Sequence, residues 1–141
     1  MKTILVAYDD TEPSRRALDR AATLAEAFGS RVLVTSIAPL HYSSPRLTLT
    51  VKERGEGIAA REEDMEQAQG ILQERGIATE TVAGRGDPGP TIAKLAEDNH
   101  ADLIVVGTRE LGALQRLLRQ SVSQEVSRKA RCDVLIVQAG D

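Results

Sequence analysis

Charged residues and a glycine follow two apolar segments of the chain, in a pattern suited to holding a phosphate. Asp9 follows the apolar run Thr3–Tyr8, and Gly107 follows the apolar run Leu103–Val106. From Gly107 a linker leads to a helix predicted to begin near Ser121. That linker contains three arginines: Arg109, Arg116 and Arg119. A glycine turn between a buried strand and a helix N-terminus binds phosphate because the first N–H groups of the helix point at the anion. The chemistry indicated is the binding of a phosphorylated ligand.

Motifs for catalysis or for a metal are missing from the sequence. One cysteine, Cys132, and two histidines, His41 and His100, are too few for a Cys/His metal cluster, and no spacing of carboxylates suggests another metal site. Walker, G-x-S-x-G and HExxH sequences do not occur. We therefore expect no catalytic residues, no metal and no enzyme, although weak hydrolysis of a bound nucleotide stays open.

The segment Gly84–Gly89 matches G-x-G-x-x-G, the fingerprint of dinucleotide sites. Its context differs from that of the fingerprint, because it follows the third predicted strand rather than the first. Pro88 also removes one backbone donor from the supposed phosphate cradle. We interpret the segment as a turn in which Asp87 caps the next helix.

Composition restricts the class of protein. The chain has 141 residues, 41% of them hydrophobic and 28% charged, with a net charge of −3. We expect one soluble domain with no nucleic-acid partner, because no basic field attracts a polyanion. There is no apolar run long enough for a signal peptide or a membrane span. The single cysteine fits a reducing compartment, so we expect a cytoplasmic protein that has no membrane partner.

Strand and helix patterns alternate five times along the chain. The predicted strands are Thr3–Tyr8, Arg31–Ile37, Ile77–Ala83, Leu103–Val106 and Val134–Val137. The first helix follows Asp10 or Thr11 as its cap, has Pro13 in its first turn and ends at Gly29. Its apolar stripe is Ala17, Ala21, Leu24, Ala25 and Phe28. A second helix is predicted over Ile58–Arg75, after a long loop at residues 38–57, and two shorter helices follow strands three and four.

This alternation predicts an α/β domain of three layers with an open, parallel, five-stranded sheet. Strands one and four are the most apolar, so we place them side by side in the order 3-2-1-4-5. The topological switch point then lies between strands one and four. Asp9 and Gly107 face each other across that crevice, where ligands bind in open α/β sheets.

The fifth strand lies at an edge of the predicted sheet, yet all four of its residues are apolar: Val134, Leu135, Ile136 and Val137. An exposed apolar edge strand is a site of association. We expect a homodimer in which the last strands of two copies pair isologously. The alternative is that the loop at residues 38–57 folds over this edge.

Three segments together resemble the universal stress protein family. They are ILVAYDDTEPSRRALDRAATLA at Ile4–Ala25, GDPGPTI at Gly86–Ile92, and the segment Ala101–Val137. The resemblance covers residues 1–141 as one domain, except for the variable loop. It implies a Rossmann-like fold of the adenine nucleotide alpha hydrolase-like type, with sheet order 3-2-1-4-5 and pairing through the last strand.

The nucleotide-binding branch of this family has the signature G-x2-G-x9-G-(S/T) after strand four. Its first glycine matches Gly107 and its hydroxyl residue matches Ser121, but its other two glycines fall on Glu110 and Gln120. The resemblance further matches Asp9 to a ribose-binding acid and Ile37 to a residue beside adenine. The nucleotide-binding residues that it implies are Ala7, Asp9, Ile37, Val106, Gly107, Arg109, Ser121, Val122 and Ser123.

The two replaced glycines should weaken triphosphate binding most. A side chain where φ must be positive costs roughly 1–2 kcal/mol. The Glu110 carboxylate at about 4 Å from a phosphate costs about 1–4 kcal/mol more. Together these lower ATP affinity about a hundredfold or more, which the arginines of the linker would offset in part. These arginines also fit a solvated helix face. Asp9 also fits a helix cap, and Ser121 fits a capping box with Gln124.

Two functions follow from these observations. The first is a stress-response regulatory domain with weak or altered adenine-nucleotide binding, for AMP or cAMP rather than ATP. The second is a nucleotide-independent dimeric module that docks on a protein partner, whose identity the sequence does not give.

Overall fold

The computed structural model describes residues 1–38, 51–108 and 122–138. The strands in these ranges are β1 Thr3–Ala7, β2 Arg31–Thr35, β3 Ile37–Ala38, β4 Thr79–Thr81, β5 Gly84–Arg85, β6 Leu103–Gly107 and β7 Asp133–Val137. The helices are α1 Glu12–Phe28, α2 Val51–Glu74, α3 Pro88–Asp98 and α4 Val122–Lys129.

Five of these strands form one parallel sheet in the order β4-β2-β1-β6-β7. In chain order they are the first to fifth strands of that sheet, so the predicted order 3-2-1-4-5 is confirmed. β1 pairs with β2 on one side, with Leu5 opposite Leu33, and with β6 on the other, with Leu5 opposite Ile104. The switch point therefore lies between β1 and β6, as predicted.

Two apolar clusters hold the helices on opposite faces of the sheet. The first face is covered by α1 and α2, whose side chains pack on Ile4, Val6 and Val34. The second face is covered by α3 and α4, which pack on Leu5, Leu33 and other residues of the alternate set. Adjacent residues of a strand point to opposite faces, so one apolar strand serves both clusters. The result is the expected arrangement of three layers.

The boundaries of α1 follow from local chemistry. Thr11 is the N-cap, and Thr11 and Ser14 form a capping box in which each side chain accepts from the other's backbone N–H. Pro13 lies in the first turn, where its missing N–H is harmless. Gly29 ends the helix with φ of 66°, a left-handed conformation that glycine adopts freely. The predicted apolar stripe is wrong at Phe28, which is 59% exposed.

The helix α2 begins earlier than predicted. It starts at Val51 rather than Ile58, so the predicted loop at residues 38–57 is wrong for residues 51–57. Lysine, arginine and glutamate favour helix there, and each of the two glycines costs only about 1 kcal/mol. Residues 39–50 of that loop lie outside the described residues. Farther along α2, Met65 and Leu72 are buried on the first face, as predicted.

Two short strands form a second, separate parallel ladder. Ile37 pairs with Gly84 and Ala38 with Arg85. The second predicted strand, Arg31–Ile37, is thus divided between two sheets, and the predicted strand Ile77–Ala83 contributes only Thr79–Thr81 to the main sheet. This ladder brings the glycine-rich turn beside the end of β2.

In the part of the chain that the structure describes, no helix is both long and apolar enough to cross a membrane.

Candidate functional site

The predicted site residues of β1, β6 and α4 come together on the second face of the sheet. Ile37 and Val106 belong to one buried cluster, and Ala7 and Val122 pack against it. The register pairs Val6 with Val105, so Ala7 and Val106 lie level with each other at the carboxyl ends of adjacent strands. Ala7 and Val106 therefore lie at the crevice between β1 and β6, where ligands bind in open α/β sheets.

Asp9 follows β1 and holds the start of α1. Its Oδ1 accepts hydrogen bonds from the Thr11 hydroxyl at 2.5 Å and from the Thr11 backbone N–H at 3.3 Å. Its own backbone N–H donates to the Ser14 hydroxyl at 3.2 Å. Asp9 thus supports the N-cap residue instead of being the cap. The other interpretation of Asp9, contact with a ribose, stays a prediction.

Gly107 is required by the packing of β6 against the start of α1. A Cβ added at this position would lie 2.3 Å from the carbonyl oxygen of Pro13 and 2.6 Å from its carbonyl carbon. A carbon atom cannot approach non-bonded backbone atoms that closely, so only glycine fits at this position without a shift. Gly107 is therefore explained by packing, whether or not a ligand is present.

The turn Gly84–Gly89 lies beside Ile37 because of the β3–β5 ladder. A Cβ at Gly84 would lie 2.8 Å from the Ile37 side chain and 2.9 Å from that of Thr91, and Gly86 has φ of 127°. These glycines are needed for close packing and for the turn. Asp87 occupies the N-cap position of α3, as predicted, but its side chain makes no cap hydrogen bond. No pattern in the sequence indicated the ladder.

The N-terminus of α4 lies where the predicted site needs a phosphate-binding group. Val122 begins the helix, and Ser123 is buried with 5% exposure. Backbone N–H groups and the dipole of a helix N-terminus favour an anion there. The predicted residues Arg109 and Ser121 lie outside the described residues, as do Glu110 and Gln120.

Thr35 adds a polar atom that the sequence did not reveal. The register places it opposite Ala7, in the second-face set of Leu33 and Leu5, and its side chain is completely buried. Its hydroxyl has no hydrogen-bond partner among the described residues. A buried hydroxyl without a partner costs free energy, so such groups often mark a place for water or a ligand atom.

The first face carries a separate polar group around Tyr8. The Tyr8 hydroxyl lies 2.9 Å from Gln67 Oε1 and 3.1 Å from Asp10 Oδ1. Burial raises the pKa of Tyr8, which keeps its proton available to donate. Arg15 binds the same Asp10 oxygen at 2.7 Å, and this hydrogen bond lowers the pKa of Asp10.

An ion pair of α2 lies close to that group. Arg61 Nη2 is 3.3 Å from Asp64 Oδ2, and the Asp64 side chain is only 14% exposed. Burial raises the pKa of Asp64, against the lowering effect of Arg61. Arg61 Nε is buried and has no hydrogen-bond partner within the described ranges. Those ranges also contain no group of three or more His, Cys, Asp and Glu residues that could hold a metal ion.

The last strand, β7, is an edge of the five-stranded sheet and pairs there with β6. Val134 and Ile136 pack partly on the second face, while Leu135 and Val137 pack on the first. Val137 is buried, and the other three are half-buried. The predicted apolar edge is therefore present in this sheet.

A parallel sheet of order 3-2-1-4-5 with a crevice at its switch point defines a Rossmann-like α/β domain. Residues 1–138 match the universal stress protein family. The chain is 34% identical to a universal stress protein of Thermus aquaticus, over 97% of this chain and 98% of the relative. It is 33% identical to one of Mycobacterium tuberculosis, over 96% and 95%. The chain belongs to the universal stress protein family.

Solved structures show the same fold. The crystal structure of a universal stress protein in complex with cAMP has a TM-score of 0.77 and 27% identity, over 99% of this chain and 98% of that chain. A universal stress protein from Archaeoglobus fulgidus has a TM-score of 0.75 and 25% identity, over 97% and 93%. Both similarities extend over nearly the whole chain.

Proposed function

We propose that this protein is a non-enzymatic, cytoplasmic stress-response domain that binds AMP or cAMP more tightly than ATP. The observation that carries the proposal is that Ala7, Ile37 and Val106 meet at the switch-point crevice, at the end of β1 that Asp9 follows in the chain. Apolar side chains beside one carboxylate suit a nucleoside, since the base needs an apolar surface and the ribose hydroxyls need an acceptor.

Three features of the crevice fit an adenine nucleoside. Ala7 is small and half-buried at the end of β1, so a flat ring can contact it. The Thr35 hydroxyl, buried without a partner among the described residues, is available to a polar edge or a bridging water. The N-terminus of α4, at Val122, can receive one phosphate. The cAMP complex of the similar structure further supports this choice of ligand.

Discrimination against ATP is attributed to the linker between β6 and α4. Glu110 and Gln120 stand where the nucleotide-binding branch has glycines. A monophosphate needs only the helix N-terminus, whereas the outer phosphates of ATP would approach the Glu110 carboxylate. We assign no residue to catalysis and no metal to this chain.

The test is calorimetric titration of the protein with AMP, cAMP and ATP, each with and without magnesium. We expect AMP and cAMP to bind, and ATP to bind at least tenfold more weakly. Asp9→Asn should weaken AMP binding about tenfold, because the ribose hydroxyls lose a charged acceptor. Asp98→Asn, at an exposed ion pair of α3, is the matched control and should bind like the wild type. An Asp9→Asn variant that binds AMP as tightly as the wild type would remove Asp9 from the site.

We also propose that the protein forms an isologous homodimer through β7. Its half-buried apolar residues lie at a sheet edge, where a second copy can pair with the free backbone groups. Val134→Lys should shift the mass in sedimentation from dimer to monomer, because lysine at an edge opposes strand pairing. The control variant Lys94→Glu changes an exposed side chain of α3 and should stay dimeric. A wild-type monomer at micromolar concentration would contradict the proposal.

The second candidate function is a nucleotide-independent dimeric module that docks on a protein partner. The replacement of two signature glycines by Glu110 and Gln120 favours it. A dimer that gives no binding heat with AMP, cAMP or ATP would favour this function over the first.

A further inference from the structure

The turn between β1 and α1 contains a residue in an unusual backbone conformation. Asp10 has φ of 58°, in the left-handed region that glycine adopts freely and other residues adopt at a cost. Aspartate tolerates the left-handed region better than most residues, but its side chain does not force the backbone into that region. Such a conformation persists where neighbouring groups hold it in place.

Two side chains hold Asp10. Arg15 Nε and Nη2 donate to Asp10 Oδ1 at 3.0 and 2.7 Å, and Nη2 also donates to the Asp10 carbonyl oxygen at 3.2 Å. The Tyr8 hydroxyl lies 3.1 Å from Asp10 Oδ1. Arg15 therefore binds both the side chain and the backbone of the left-handed residue. We call Tyr8, Asp10 and Arg15 the turn clamp.

The turn clamp is anchored in the core and tied to α2. Tyr8 is 2% exposed and belongs to the first-face cluster, so its ring cannot move freely. Its hydroxyl also lies 2.9 Å from Gln67 Oε1, on α2. The left-handed turn is thus connected to the apolar core on the first face and to α2.

Asp9 lies between two residues of the turn clamp. Tyr8 is fixed on the first face, and Ala7, two residues before Asp9, packs on the second face. With Asp10 in the left-handed conformation, the Thr11 N–H and hydroxyl donate back to Asp9 Oδ1. The carboxylate is consequently fixed in position before any ligand arrives.

We propose that Tyr8, Asp10 and Arg15 are positioning residues that hold the Asp9 carboxylate for the ribose hydroxyls of the nucleotide, and that Gln67 couples this arrangement to α2. The inference rests on the proposed function, because it names what prepares that site. Preorganising a carboxylate raises affinity by removing the cost of ordering it on binding. The effect is confined to ligands whose ribose carries hydroxyls.

The test compares AMP with 2′,3′-dideoxy-AMP in the full-length protein. Tyr8→Phe removes the hydroxyl and keeps the buried ring, and Arg15→Gln removes the charged donor. Each should weaken AMP binding roughly fivefold to tenfold. Each should change the binding of dideoxy-AMP less than about twofold, since that ligand has no ribose hydroxyls for Asp9. Arg16→Gln, which breaks the exposed Arg16–Glu12 pair on the same helix, is the matched control and should behave like the wild type.

The outcomes separate the positioning role from a purely structural one. Equal losses for AMP and dideoxy-AMP would show that the turn clamp only supports the fold, and would overturn the proposal. Unchanged AMP affinity in both variants would overturn it as well.

A measurement without ligand separates this inference from the proposed function. Hydrogen exchange of the Thr11 amide reports how often this turn opens, because its N–H donates both to Asp9 Oδ1 and to the Ser14 hydroxyl. We expect exchange at least fivefold faster in Tyr8→Phe than in Arg16→Gln. If the wild type binds no nucleotide, the proposed function fails, and this rate alone decides whether the turn clamp positions Asp9. An unchanged Thr11 rate in Tyr8→Phe overturns the positioning role.

Discussion

Replacement of Gly107 by alanine tests whether packing, rather than a ligand, requires glycine at the end of β6. The added Cβ would lie 2.3 Å from the Pro13 carbonyl oxygen, and therefore the backbone of β6 or of the first turn of α1 must shift. Overpacking of this kind costs about 1–3 kcal/mol. The clash is with backbone atoms and not with a flexible side chain, so we expect the upper end, about 3 kcal/mol.

The expected change in melting temperature follows from the size of the chain. An unfolding entropy of about 2.1 cal/mol/K per residue gives about 0.3 kcal/mol/K for 141 residues. A loss of about 3 kcal/mol therefore lowers Tm by about 10 °C. Scanning calorimetry of the ligand-free protein measures this shift directly.

Gly70 provides a control of opposite sign. It lies within α2, and a Cβ added there would meet nothing within 4 Å. Gly70→Ala should raise Tm by about 2–3 °C, because alanine stabilises a helix interior by about 0.5–1 kcal/mol relative to glycine. If Gly107→Ala melts within about 2 °C of the wild type, the packing explanation is wrong, and glycine would then be needed only for a ligand.

Two further predictions concern pH and the phosphate cradle. The Asp102 carboxylate accepts from the backbone N–H groups of Thr3 and Lys2, and these bonds lower its pKa below the ordinary 3.8. The stabilisation by the Asp102 carboxylate is therefore complete above the ordinary pKa and is lost as pH falls through the folded-state pKa. In urea titrations, the stability difference between the wild type and Asp102→Asn should shrink below about pH 4. A stability difference that grows with acid would contradict this. The double variant Glu110→Gly with Gln120→Gly should bind ATP at least tenfold more tightly in calorimetry, while a flat response would refute the cradle argument.

The layered fold was predictable because it depends on a repeated signal. Each strand of the main sheet is an apolar run followed by a helical pattern, and Gly29 marks a helix end by a conformation only glycine adopts freely. The sheet order followed from the apolar character of strands one and four and from the handedness of the crossovers. These signals extend over many residues, so errors at single positions did not change the result.

The missed features depend on single contacts. The β3–β5 ladder joins two pairs of residues, which is too short to leave an alternating pattern. The left-handed conformation of Asp10 is decided by Arg15 and Tyr8, whose contacts are set by the folded turn. The exposure of Phe28 arises because it occupies the last position of α1, beyond the part of the helix that packs on the sheet.

The position of the candidate site was predictable, because it depends on where the strands end. The contacts of individual side chains were less predictable. Ala7 and Val106 lie together because parallel strands end at one edge. The buried Thr35 hydroxyl was missed, since a threonine in an apolar strand gives no indication of whether its hydroxyl will find a partner.

Titration of the wild-type protein with AMP, cAMP and ATP in a calorimeter tests the central claim most directly. The account predicts one binding site per chain for AMP and cAMP, with affinity at least tenfold above that for ATP. Absence of binding heat for all three at millimolar concentration, or binding of ATP as tight as that of AMP, would contradict it.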